Sequence, residues 1–263
     1  MKGIGTNDLK RELEAVRKKE QKYLNRHFRK NPLKEKLYEK VPEKLQGILE
    51  KAFEKAFWLV FEKGTGVIEK TFDRESALLE FEAGDYVLER RPGRKSIRRM
   101  EKKAGKDNGV NTAAAAVSGL GLGLLGLGIP DIPLVTGTLL KGVYEIALGY
   151  GFSYEEPGER IYILRLIRCA LSEDETRVYW SQAMDEMTPG GQLLAGVWGQ
   201  EDTAREIALT AKALSDGLLV EKFIQGIPLV GAVGGAVKAA LYGRVSKLAG
   251  IKYKKRYLEI KNH

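Results

Sequence analysis

Few residues in this chain have the chemistry for catalysis. Asp131 stands between Pro130 and Pro133, and Glu145 follows in the next apolar segment. Two such carboxylates could divide the acid and base roles of a hydrolase acting on a lipid or small ligand. Each also has a plainer use. A carboxylate at a proline-marked helix start caps the amide dipole, and Glu145 lies one turn beyond Lys141, where an intrahelical ion pair forms. Cys169 is the single cysteine, which excludes a disulfide framework and a multi-cysteine zinc site, and its setting between Ile163 and Leu171 predicts a core position. His27 and His263 are the only histidines, one in a charged segment and one at the far end, so a Ser-His-Asp triad has no imidazole to build on. The glycine run from Gly119 to Gly128 lacks the following Lys-Ser/Thr of a phosphate loop, and no G-x-S-x-G elbow occurs. Neither a cofactor nor a metal is expected.

Binding offers more than catalysis does. The net charge of +9 is unevenly spread: +7 over residues 1–63, −5 over 64–89, +8 over 90–106, −9 over 107–221 and +8 over 222–263. The first strongly basic block holds Arg90, Arg91, Arg94, Lys95, Arg98, Arg99, Lys102 and Lys103, and the tail holds Lys254, Lys255 and Arg256. With Ile97 and Met100 as its only large apolar residues, the first block reads either as a solvated loop and short helix or as a contact for phosphate and lipid headgroups. No aromatic interleaving accompanies it, so nucleic acid is not expected as the partner.

Residues 108–130 carry no charge, and their apolar part is near the lower length limit for a bilayer span. Gly119, Gly123 and Gly126, with Gly231 and Gly235 in a later segment, would let a second backbone or a lipid surface approach closely, in packing or in insertion. Residues 1–20 contain no signal-peptide-like apolar run, so a cytoplasmic location is expected.

These residues must be positioned by helices. Residues 6–30 are rich in Lys, Glu, Leu and Arg and predict an exposed, charge-laced helix. After Pro42, the residues Leu45, Ile48, Leu49, Ala52, Phe53, Ala56, Phe57 and Val60 recur at steps of three and four, the clearest amphipathic helix in the chain. A less regular helix follows through Leu78, Leu79 and Phe81 to Gly84. Ser172 and Glu175 match a capping box opening a helix toward Met187, with a break from Thr188 to Gly191. A further helix is expected from Asp202 to Leu214, broken by Ser215, Asp216 and Gly217.

Two segments echo each other: Ile-Pro-Leu-Val at 132–135 and at 227–230, each continuing as a small-residue helix and each closing on glycine, an apolar residue, a polar residue and tyrosine, at Gly151 to Tyr154 and Gly250 to Tyr253. The expectation is an all-α helical bundle containing two related Gly/Ala-rich apolar helices, each begun by an Ile-Pro-Leu-Val segment, packed side by side or across a pseudo-twofold axis. Residues 1–40 form a charged helical extension and residues 41–263 the main domain.

The run Gly126 to Pro133, then Lys141, Glu145 to Ala147, Tyr150 and Gly151, and Arg160 to Leu164, resembles the central pattern of the EcsC family. Ile227 to Gly231, followed by a Gly/Ala helix and a basic helix through Arg256, resembles that family's end. The resemblance covers roughly residues 40–260 and departs at Lys141, where arginine is expected, and at Lys238, near an expected asparagine. It implies an accessory protein linked to an ABC transporter and supplies no reaction. Composition and resemblance together point to a membrane-associated accessory protein, peripheral at the inner face of the cell membrane, with an anionic membrane surface or a membrane protein as partner. The alternatives are the Asp131/Glu145 hydrolase and a soluble carrier of a hydrophobic ligand.

Overall fold

The computed structural model describes residues 3–25, 42–64, 68, 72–104, 131–172, 175–194, 198–224 and 235–262. Among these every regular element is helical. The α-helices are α1 (Gly3–Leu24), α2 (Glu43–Leu59), α3 (Arg74–Arg90), α4 (Arg94–Ala104), α5 (Asp131–Gly149), α6 (Pro157–Leu171), α7 (Thr176–Met187), α8 (Gln200–Ile224) and α9 (Gly235–Asn262). A π-turn (Val60–Gly64) follows α2, and a 3-10 turn (Pro189–Gly191) follows α7.

The core is built around α6 and α9. α6 starts with Pro157 in its first turn and is buried nearly all round, enclosing Ile161, Tyr162, Ile163, Leu164, Leu166, Ile167, Cys169 and Ala170 together with the charged Glu159 and Arg168. It packs against α7, α8 and α9. α9, about 42 Å long for its 28 residues, crosses α1, α5, α6 and the 3-10 turn. Most of the expected α2 stripe is present: Leu49, Ala52, Phe53, Ala56 and Phe57 are buried, facing α5 and α8, whereas Leu45 is only partly buried and Ile48 is 44% exposed. α1 is less exposed than its composition suggests, since Leu9, Leu13, Val16 and Tyr23 lie on one face and pack along α9.

Two glycines set the approach of neighbouring helices. Gly151, at φ +80°, ends α5 in a Schellman turn, with the Phe152 amide donating to the Ala147 carbonyl and the Gly151 amide to that of Leu148, both at 2.9 Å. A Cβ on Gly149 would lie 2.6 Å from Ala104 Cβ, so glycine there is what admits α4 against α5.

Several local expectations are corrected. The Ser172 hydroxyl donates to the Arg168 carbonyl at 2.9 Å and so finishes α6; α7 starts after Glu175 with no side-chain cap. α8 runs unbroken through Ser215, Asp216 and Gly217 because Leu214, Ser215 and Leu218 are buried and hold that turn against the bundle. α3 continues past Gly84 to Arg90. The two echoing helices, α5 and α9, do pack together, but their closing motifs differ: Gly151 terminates α5, whereas Gly250 lies inside α9. The second Ile-Pro-Leu-Val copy, the charge-free segment 108–130 and the expected boundary near residue 40 lie outside the described residues.

Candidate anion-binding face

The first basic block sits on the hairpin of α3 and α4. Asp73 caps α3, accepting from the Ser76 amide at 2.9 Å and the Ser76 hydroxyl at 2.7 Å, and these bonds hold its carboxyl below the usual range. Arg91, Pro92 and Gly93 then turn the chain back, and the Ser96 hydroxyl donates to the Arg91 carbonyl at 3.0 Å. Along α4 the apolar residues Ile97, Met100 and Ala104, at steps of three and four, are buried, which turns Arg94, Lys95, Arg98, Arg99 and Lys102 outward.

Between α3 and α4 lies a cleft of about 330 Å³. Ala83, Gly84, Val87 and Met100 form its apolar walls, and Arg91, Lys95, Ser96, Arg99 and Lys103 complete it, with no acidic residue in the lining. Lys103 pairs with Glu80 at 3.4 Å, Arg94 with Glu12 at 2.9 Å, and Arg90 lies 5.3 Å from the Tyr86 ring centroid. Among the described residues Arg91, Lys95, Arg98, Arg99 and Lys102 have no ion-pair partner.

An exposed apolar stripe borders this cleft. Leu79 and Tyr86 are each 58% exposed and Val87 is 39% exposed; with Ala83 they share one face of α3, and Ala83 and Val87 also line the cleft. The spacing 79, 83, 86, 87 carries the signal, but ending the helix at Gly84 hides it. Gly84 is instead where α3 accommodates α4, since a Cβ there would lie 3.0 Å from Met100 Cγ.

The basic tail residues take a different place from the one expected. Lys254, Lys255 and Arg256 are buried in α9, and each meets an acid from a distant part of the chain. Lys254 reaches Glu12 at 3.2 Å and Glu101 at 3.0 Å; Lys255 reaches Glu20 at 2.8 Å and Asp185 at 2.7 Å. Arg256 grips Glu159 with two nitrogens, at 2.7 and 3.0 Å, and donates to the Gly191 carbonyl at 3.1 Å. Their role as surface contacts is therefore corrected to an internal one, because unpaired charge is too costly to bury. Burial alone would raise the Glu20 pKa, but the charges and hydrogen bonds of Lys252 and Lys255 outweigh it and hold the carboxyl below its ordinary value. Burial likewise opposes the charge on Lys255, and Glu20 and Asp185 overcome it, raising its pKa.

The hydrolase candidates are not brought together. Asp131 opens α5 and Glu145 lies on the same helix fourteen residues later, about 21 Å along the axis, too far for one bond to sit between them. Glu145 pairs with buried Lys141 at 3.3 Å, the intrahelical pair its spacing suggests. Glu145 also borders a hollow of about 180 Å³ with Asp73, Glu80 and Phe81. Cys169 is in the core, its thiol donating to the Arg177 carbonyl at 3.3 Å, and burial pushes its pKa up to about 12. Gly235 opens α9; Gly119, Gly123, Gly126 and Gly231 lie outside the described residues. No helix among the described residues is long and apolar enough to cross a membrane.

The model described as the EcsC protein family matches residues 7–258. The chain belongs to the EcsC protein family. It is similar to Protein EcsC of Bacillus subtilis (strain 168), 28% identical over 138 residues, which are 52% of this chain and 54% of that protein. The aligned region thus spans about half the length of the EcsC relative. No solved structure matches the chain. The family match begins within α1, in agreement with the way that helix packs along α9.

Proposed function

We propose that this EcsC-family protein is a membrane-associated accessory protein that docks on anionic lipid through the α3–α4 hairpin. The supporting observation is one of adjacency: exposed Leu79, Tyr86 and Val87 run beside a cleft lined by Arg91, Lys95 and Arg99, and Arg98 and Lys102 project from the outer side of the same helix; none of these five cations has an ion-pair partner among the described residues. Apolar side chains at the level of the headgroups and basic side chains facing the phosphates are the two components of interfacial binding. Each basic residue near an anionic leaflet contributes about 1 kcal/mol, so five contribute about 5 kcal/mol at low salt, fading as the Debye length shortens. An accessory link to an ABC transporter rests on the family resemblance and on no side chain. Flotation with liposomes tests the docking. The wild-type chain should float with vesicles containing anionic lipid, less so in high salt, and a Leu79→Asp/Tyr86→Asp variant should remain at the bottom with an unchanged melting temperature. Wild-type protein that never floats, or a double variant that floats as well as wild type, refutes the reading.

A further inference from the structure

We infer that the α3–α4 cleft is a site for one lipid-borne phosphomonoester headgroup, held by Arg91, Lys95 and Arg99. The inference rests on the docking reading and adds selectivity to it. A diffuse basic face attracts any anionic surface equally; a cleft does not. At about 330 Å³ this one reaches the lower part of the range for small-ligand sites, roughly 300–1,000 Å³, whereas a flat surface patch would enclose nothing.

The charge balance favours a monoester over a diester. Lys103 is already matched by Glu80 at 3.4 Å, which leaves Arg91, Lys95 and Arg99 as cleft cations without a partner among the described residues. A diester phosphate brings a single negative charge and two free oxygens. A monoester brings about 1.5 to 2 charges and three terminal oxygens, enough to accept from both guanidinium forks and the ammonium together. Lys95 and Arg99 stand one helical turn apart, about 6 Å along α4, so a single phosphate can be reached from both sides by their long side chains. The Ser96 hydroxyl is occupied by the Arg91 carbonyl, so it serves to fix the Arg91 turn and does not compete for the ligand.

The apolar walls indicate how the ligand is carried. Ala83 and Val87 line the cleft and belong to the same stripe as Leu79 and Tyr86, so the path out of the cleft continues onto the surface that would lie in the headgroup layer. That continuity suits a headgroup whose acyl chains stay in the membrane.

The test compares flotation on vesicles containing phosphatidic acid with vesicles containing phosphatidylglycerol, adjusted to equal surface potential. Two variants with the same charge change are used: Lys95→Gln/Arg99→Gln inside the cleft and Arg98→Gln/Lys102→Gln on the outer side of α4, both at exposed positions. Wild type should prefer phosphatidic acid by about tenfold, the scale of one or two charge-assisted hydrogen bonds. The cleft variant should lose that preference and the outer variant should keep it. Equal flotation of wild type on both vesicle types overturns the headgroup site while leaving the docking reading intact. Flotation on neither refutes docking; calorimetric titration with glycerol 3-phosphate then locates the fault. Binding of that soluble monoester, lost in the cleft variant, would overturn the lipid-borne source alone, and absence of binding would overturn the site altogether.

Discussion

Replacing Arg256 with methionine should destabilise the fold by about 3–5 kcal/mol, the usual cost of leaving one member of a buried ion pair behind. The structure puts this site at the severe end. The Arg256 and Glu159 side chains are 3% and 4% exposed, so the orphaned carboxylate cannot turn to water. Among the described residues only the Tyr253 hydroxyl, donating to Glu159 at 2.8 Å, would remain to satisfy it. The guanidinium also stacks 4.1 Å from the Phe152 centroid and 4.5 Å from that of Tyr162, and it donates to the Gly191 carbonyl, so packing and a backbone partner are lost with the charge. At about 2–4 °C per kcal/mol for a domain of this size, the melting temperature should fall by about 6–20 °C. The companion variant Glu159→Leu/Arg256→Met removes both charges and should recover much of that loss. Urea unfolding of the two single variants and the double variant gives the coupling energy. A single-variant loss below about 1 kcal/mol, or a double-variant loss equal to the sum of the singles, would refute the internal role assigned to this pair.

Acid should weaken the fold through Glu20. Its folded pKa lies below the ordinary 4.5, so its contribution is complete above pH 4.5 and disappears as pH falls through the folded value; Glu20→Gln should flatten that limb of a melting-temperature profile. Cys169, with its thiol pushed up to about 12, should resist alkylation by iodoacetamide at pH 8 in the folded protein and react once urea unfolds it, as mass spectrometry would record. Gly149→Val should cost about 1–3 kcal/mol because even the first carbon meets Ala104, and by shifting α4 it should also reduce flotation.

The helical class and α2 were legible in the sequence because apolar periodicity is a local property, and α2 shows it from Leu49 to Phe57. α8 was less so: Ser215, Asp216 and Gly217 are turn formers by local propensity, and burial of Leu214, Ser215 and Leu218 overrides them. The candidate site divides in the same way. Arg91, Lys95 and Arg99 belong to a block, 90–106, in which Glu101 is the single acid and Ile97 and Met100 mark the buried side, so its outward face could be read directly. Lys254, Lys255 and Arg256 look alike in sequence, but Glu12, Glu20, Glu101, Glu159 and Asp185 reach them only through the fold, from 70 to 242 positions away for the pairs Lys255–Asp185 and Lys254–Glu12. A basic run therefore reads as surface until the contacts that neutralise it are known.

The docking claim is tested most directly by a polarity-sensitive fluorophore attached through Leu79→Cys, since buried Cys169 should not compete for the label. Mixing with anionic vesicles should shift its emission to the blue, and a label attached through Tyr179→Cys on α7 should show no shift. An unchanged spectrum at position 79, or equal shifts at both positions, would contradict docking through the α3–α4 face.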